Sequence, residues 1–284
     1  MSELPPPPGC NVALAEKVLV RFLAEETHRI GMQRAVLGLS GGIDSALVVE
    51  LAARALGGAN VLAVCMPYRE SDPVSLELAK TSAAHAGVRL EVVDISGAAN
   101  AAIAAAGDLE DVTRPEVRLR RGNLFARLRM VTLYDRSARE HGLVFGTSNK
   151  TELLLGYGTQ HGDMASAINP IGDLYKAQVV ALSRHLGVPQ AIVDRPPTAD
   201  LWAGQTDEEE LGFTYDAVDA LLHRLVDRRM TPGRLVADGF PRDFVDHVAE
   251  RVRRNQYKRR PPLVAKVAAR TVNLDYRYAR DWGT

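Results

Sequence analysis

Four short apolar runs, "RAVLGLS", "VLAVCMP", "VRLEVVDI" and "LVFGT", recur along the chain with helically periodic stretches between them. A strand gains a parallel neighbour only after a crossover of roughly a dozen or more residues, which a helix supplies. The alternation therefore predicts an α/β fold, a mainly parallel sheet flanked by helices. Helices are expected from Asn11 to about Met32, where Val12, Leu14, Ala15, Val18, Leu19, Phe22 and Leu23 recur at helical spacing, and from about Ile43 to Leu56. Others are expected around Pro73 to Ala86, from about Asn123 to Glu140, over "NKTELLLGY", and from Tyr175 to Leu186. Gly156 to Asp173 lacks clear periodicity and reads as loop-rich, Val188 to about Asp207 is rich in Pro, Asp and Gly, and the chain end reads as helical and increasingly basic. The four consecutive prolines within residues 1–10 predict a flexible tail. Residues 11–284, with no repeat and no separating linker, predict a single domain.

Composition narrows the function classes. At 284 residues the chain is long enough for one extended α/β core. Lys plus Arg and Asp plus Glu number 35 each, so no global field draws it to nucleic acid or to an anionic membrane, and any polyanion must meet a local patch. The two cysteines, Cys10 and Cys65, cannot build a disulfide framework or a zinc site by themselves, which fits a reducing cytoplasm. No apolar run approaches the roughly 20 residues of a membrane span, and "MSELPPPPGC" lacks the charged start and apolar centre of a signal peptide.

The joint in "VLGLSGGIDSALVV", Val36 to Val49, carries the chemistry. A strand running into "SGGIDS" and then a helix places glycines where the backbone turns sharply and a ligand approaches closely. N–H groups at the helix start, the helix dipole and the hydroxyls of Ser40 and Ser45 make an anion site. Asp44 would repel phosphate there unless a cation lay between them, which points to Mg²⁺. A bare Gly-Gly turn with Asp44 as a helix cap is the simpler reading of the two glycines alone. The full string is neither a Walker loop, whose Gly-Lys-Ser/Thr ending is absent, nor a dinucleotide fingerprint with its wider glycine spacing.

"SGGIDS" resembles the pyrophosphate-binding loop of the N-type ATP pyrophosphatases, which split ATP into AMP and pyrophosphate to activate an oxygen on a second substrate. Four longer strings narrow the choice: "GNLFARLRM" (Gly122 to Met130), "GTSNKTELLLGYGTQHGDMASAINPIGDLYKAQV" (Gly146 to Val179), "PPTADLWAGQTDEEELGFTYDAVDALL" (Pro196 to Leu222) and "NQYKRRPP" (Asn255 to Pro262). In order and spacing they are similar to the ammonia-using NAD synthetase family, from about Asn11 to Pro262. The resemblance implies a Rossmann-like sheet of the adenine nucleotide alpha hydrolase type and a homodimer. It implies a ligase in which the nicotinate carboxylate of deamido-NAD attacks the α-phosphorus of ATP. Pyrophosphate leaves, and ammonia converts the acyl adenylate to NAD⁺ and AMP.

Carried over by position, the resemblance implies that Gly38, Leu39, Ser40, Gly41, Gly42, Ile43, Asp44 and Ser45 hold the ATP phosphates. It implies that Asp44 and Glu152 ligate Mg²⁺, that Thr147, Lys176 and Thr198 contact ATP, and that Arg127, Tyr257 and Lys258 contact deamido-NAD. Asp44, Glu152 and Lys176 are thus the expected catalytic set. Many relatives carry a lysine where this chain has Gln160 and an aspartate where it has Ala167, so those two roles do not transfer. Asp163 and Asp200 are candidate bases for ammonia. The basic run "RVRRNQYKRR" reads as a solvated helical face or as cations for the dinucleotide phosphates. Neither cysteine sits like an amidase nucleophile, which leaves free ammonia or ammonia from a separate glutaminase. Two rivals remain at this point: an adenylating enzyme acting on tRNA, and a nucleotide sensor without turnover.

Overall fold

Side chains alternate across the strands, and the alternation divides the core in two. The structure, a computed structural model, describes residues 4–196 and 212–272. Strands β1 (Arg34–Gly38), β2 (Val61–Cys65), β3 (Arg89–Val92) and β4 (Gly142–Phe145) form a parallel sheet in the order β3-β2-β1-β4, with Ala35 between Val61 and Leu143. Ala35, Leu37, Val61, Ala63, Cys65 and Phe145 enter one apolar cluster, whereas Val36, Leu62, Val64 and Val144 enter another. Helices α1 (Val12–Arg29), α2 (Ile43–Leu56) and α3 (Pro73–Ala86) contribute to the first cluster. Helices α4 (Ser96–Ala106) and α5 (Pro115–Glu140) contribute to the second. Fully burying a Val or Leu contributes about 1.5–3 kcal/mol, and a one-residue slip of β1 would exchange Val36 and Leu37 between unlike faces, so the register is strongly specified.

Further along lie α6 (Lys150–Leu155), α7 (Lys176–Leu186), α8 (Gln190–Val193), α9 (Tyr215–Leu222), α10 (Pro232–Ala237) and α11 (Arg242–Arg254). Helix α7 packs on the first cluster, while Leu155, Tyr175, Val218, Leu221, Phe240, Val245 and Val248 build a third one beside the sheet. Among the described residues, no helix is long and apolar enough to cross a membrane.

Four local expectations change. Helix α4 was not expected: its run of alanines has no polar contrast from which a period could be read. Helix α5 starts at Pro115 rather than near Asn123, with proline in the first turn, where its missing N–H costs no helical bond. The unperiodic stretch after α6 runs along the outer edge of β4, where Gly146 N donates to Ile168 O at 2.7 Å and Ala167 N to Val144 O at 2.9 Å. The basic chain end is not helical throughout: α11 stops at Arg254, a 3-10 turn spans Gln256–Arg259, and Pro261 and Pro262 follow. The proline-rich start has neither helix nor strand over residues 4–10, yet it touches the body: Leu4 packs on the third cluster, and Gln178 Nε2 donates to Gly9 O at 3.0 Å.

Strand order positions the site. The chain steps from β1 to β2 to β3 on one side, then returns to place β4 on the other side of β1. Neighbouring strands whose connections leave in opposite directions open a crevice at their C-terminal ends, where open α/β sheets bind ligands. "SGGIDS" leaves β1 and "GTSN" leaves β4 at that switch point.

Candidate active site

The loop after β1 is held by its own serines. Ser40 N donates to Ser45 Oγ at 3.3 Å, Ser45 Oγ donates to Gly42 O at 3.0 Å, and Gly42 N donates to Ser40 Oγ at 3.3 Å. Gly41 has φ +81°, the left-handed region, and a Cβ built there would lie 2.3 Å from Ser75 O. Glycine therefore serves geometry at this position. Gly42 is the N-cap of α2 with no side-chain cap, so the first-turn N–H groups of α2 face the crevice beside Asp44.

Two segments distant in sequence meet on Asp44. Its Oδ1 accepts from Asn149 Nδ2 at 2.9 Å, and its Oδ2 accepts from the Lys176 ammonium. Asn149, fully buried, is the N-cap of α6: its Oδ1 accepts from Glu152 N at 3.0 Å, and its backbone N–H donates to Glu152 Oε2 at 3.2 Å. One asparagine thus joins both sequence-predicted metal carboxylates. The signal for it was present as Asn-Lys-Thr-Glu, a capping box, although that pattern gives no hint of the bond to Asp44. Lys176 is 4% exposed, with Nζ 5.2 Å from the Tyr215 ring centroid. It sits in the first turn of α7, whose N-cap Tyr175 is buried.

A cavity of about 900 Å³ opens over this cluster and reaches α5 and the chain end. It is lined by Gly38, Leu39, Ser40, Gly42, Asp44, Ser45, Thr147, Glu152 and Lys176, and also by Arg127, Tyr257 and Lys258. Gly41 and Ile43 do not line it; Ile43 is buried in the first apolar cluster. Thr198 and Asp200 lie outside the described residues.

At the other lip, Arg127 Nε donates to Gln160 O at 3.2 Å, and Lys258 Nζ donates to Gly156 O at 2.8 Å and Gly158 O at 2.9 Å. Burial pushes the Lys258 pKa down, opposed by the charge of Asp163. The Asp163 carboxyl is exposed toward the cavity it lines but surrounded by protein; desolvation raises its pKa, against N–H donation from Thr159 at 2.8 Å and the charge of Lys258. Part of the basic run is turned to backbone carbonyls. Arg251 and Asn255 donate to Leu155 O at 3.3 and 3.0 Å, and Arg259 donates to Leu153 O and Leu154 O at 2.9 Å each. These residues cap the C-terminal carbonyls of α6, where cations offset the helix dipole, and Lys258 holds the turn that follows. Sequence reasoning also missed Arg129, which donates to Met66 O at 3.0 Å, and Asn123, which accepts from Thr159 Oγ1 at 2.6 Å.

The donor set fits magnesium. Both acidic groups are hard oxygen donors turned to one asparagine, and no group of three or more His, Cys, Asp or Glu among the described residues could cage a metal unaided. One or two carboxylates completed by substrate phosphates is the pattern Mg²⁺ favours.

Comparison with known proteins agrees with this geometry. The family model described as NAD synthase matches residues 15–262. The NH(3)-dependent NAD(+) synthetase of Trichlorobacter lovleyi is 54% identical over 273 residues, covering 96% of this chain and 97% of that protein. The solved NH3-dependent NAD synthetase of Campylobacter jejuni, in complex with the nitrate ion, superposes with a TM-score of 0.75 at 33% identity, over 90% of this chain and 100% of that one. The NMN synthetase of Francisella tularensis superposes with a TM-score of 0.77 at 29% identity, over 90% and 99% of the two chains. A serine-held loop and two carboxylates gathered at the switch point of a β3-β2-β1-β4 sheet, matched along nearly the whole chain, make this protein a member of the NAD synthase family.

Proposed function

We propose that the chain is a ligase that amidates deamido-NAD with ammonia at the expense of ATP, through an acyl adenylate, releasing AMP and pyrophosphate. The observation that carries this reading is the meeting of Asp44, Asn149, Glu152 and Lys176 at one end of a cavity whose far lip carries Arg127 and Lys258. About 900 Å³ is at the upper end of the range for small-molecule sites, room suited to two nucleotide substrates.

A carboxylate resists attack by an amine because its charge repels the nucleophile and oxide leaves poorly. Adenylation removes both obstacles. The serine-held loop and the first turn of α2 bind the polyphosphate and keep the α-phosphorus toward the nicotinate carboxylate. Mg²⁺, where bound by Asp44 and Glu152, supplies charge neutralisation to the phosphate oxygens. Lys176, paired to Asp44, faces the departing pyrophosphate and stabilises its growing charge. Arg127, Tyr257 and Lys258 hold the dinucleotide, and Asp163, whose raised pKa brings it nearer neutrality, is the base available to ammonia.

The exposed Val131 and Tyr134 of α5 support a homodimer, and two cysteines, too few for a disulfide framework, support a reducing cytoplasm. Ammonia is taken free or from a separate glutaminase. The test is incubation of the purified chain with ATP, Mg²⁺ and deamido-NAD, with ammonium or glutamine as nitrogen source. NAD⁺ formed one-to-one with AMP from ammonium is the expected result. ADP as product, or ATP bound and unchanged, would overturn it. A parallel arm offers the mononucleotide counterpart, because one structural neighbour is an NMN synthetase.

A further inference from the structure

Lys176 and Glu152 stand near the starts of two helices, and one buried pair of side chains binds those starts together. Thr151, in the first turn of α6, and Asp219, on α9, are both fully buried. The Thr151 hydroxyl donates to Asp219 Oδ1, and Ala177 N donates to Asp219 Oδ2 at 2.8 Å. Lys176 N in turn donates to Thr151 Oγ1 at 3.1 Å. Neither Thr151 nor Asp219 lines the cavity.

The direction of this chain of bonds is forced. A hydroxyl has one proton, and the carboxylate, which only accepts, takes it. The lone pairs of Thr151 Oγ1 are then left for the N–H of Lys176. The second carboxylate oxygen holds the next N–H, so one buried anion fixes two consecutive backbone groups at the positive end of α7. Burying a carboxylate costs more than an apolar pair of similar size would, so its presence calls for a return beyond packing. Lys176 shows what that return is: its ammonium ends a flexible four-carbon stem, and its reach to Asp44 depends on where its backbone is pinned.

We propose that Asp219, acting through Thr151, is a positioning residue that pins the backbone of Lys176 and so aims its ammonium at Asp44 and the departing pyrophosphate. The inference rests on the reading of Lys176 as a phosphate-binding group. Misplacement by about 1 Å is enough to cost on the order of 100-fold in rate, the scale against which the loss is to be read.

The test compares Thr151→Val, Thr151→Ser, Lys176→Met and the double variant Thr151→Val/Lys176→Met in the ammonium assay, each checked for a cooperative melt. Thr151→Val is expected to lower kcat by about 10- to 100-fold, with the KM for deamido-NAD within about twofold of the parent. Thr151→Ser, which keeps the hydroxyl, should restore kcat to within about threefold. In the double variant the valine should cost no more than about twofold, because two residues acting as a unit are not additive. Should Thr151→Val melt below assay temperature, Asp219→Asn is read for the same kcat and KM split. A folded Thr151→Val with parental kcat, or one that costs the Lys176→Met background as much as the parent, overturns the positioning role. Parental activity in Lys176→Met would instead overturn the reading of Lys176 itself.

Discussion

Replacing Gly41 by alanine tests whether the loop after β1 is as tightly built as its geometry says. Two costs apply. An L side chain at φ +81° is strained by about 1–2 kcal/mol. The new Cβ would also lie 2.3 Å from Ser75 O, 3.1 Å from Ser75 C and 3.2 Å from Leu78 Cβ, so the loop and the start of α3 must part, at about 1–3 kcal/mol. Reduced freedom of the unfolded chain returns about 0.4–1 kcal/mol. Gly87→Ala provides the internal reference: φ is +65°, and nothing lies within 4 Å of its Cβ position, so only the backbone cost remains, about 1 kcal/mol net. Urea melts of the two variants should therefore differ by about 1–3 kcal/mol, with Gly41→Ala the less stable and its ATP affinity reduced. If the two melts agreed within about 0.5 kcal/mol at equal m-values, the close approach of the loop to Ser75 would not be the constraint described here.

Asp44→Asn keeps an acceptor for Asn149 but removes the charge; turnover should fall by at least about 100-fold while the melt stays cooperative, and retained turnover would remove Asp44 from the metal and phosphate chemistry. Asn149→Asp keeps an acceptor for the cap of α6 but buries a like charge against Asp44; stability should fall by more than about 1 kcal/mol and kcat should drop with it, and unchanged stability and kcat would show that the Asn149 to Asp44 bond is incidental. Burial pushes the Asp219 pKa up to about 6 from an ordinary 3.8, so the folded chain binds the proton more tightly than the unfolded one. Its contribution to stability is therefore lost as pH rises from about 4 to about 6, on the order of 2–3 kcal/mol, and the stability of Asp219→Asn relative to the parent should climb over that window in urea melts. Parallel curves would mean that Asp219 does not titrate there.

What was legible in the sequence was local. The β1 strand, the "SGGIDS" joint and α2 follow from a change of apolar period around two glycines, and α2 runs from Ile43 to Leu56 as expected. Where local contrast was missing, reading failed: α4 is mostly alanine, and the first turns of α5 carry several arginines. The basic run shows a different limit. Its charges were plain, but the carbonyls of α6 that receive Arg251 and Arg259 lie about 100 residues earlier in the chain.

The amino-acid order alone determined most of the element types and the polar turn between β1 and α2, because period and glycine placement are properties of neighbouring residues; Glu152 and Lys176 stood out only through a resemblance spread over the whole chain. Only the tertiary structure decided that Asn149 reaches Asp44 across 105 positions, and that Asp219 stands behind Lys176. The physical reason is the strand order. Placing β4 beside β1 brings two loops to one crevice, and burial then forces each polar group in it to find a partner that no local pattern names.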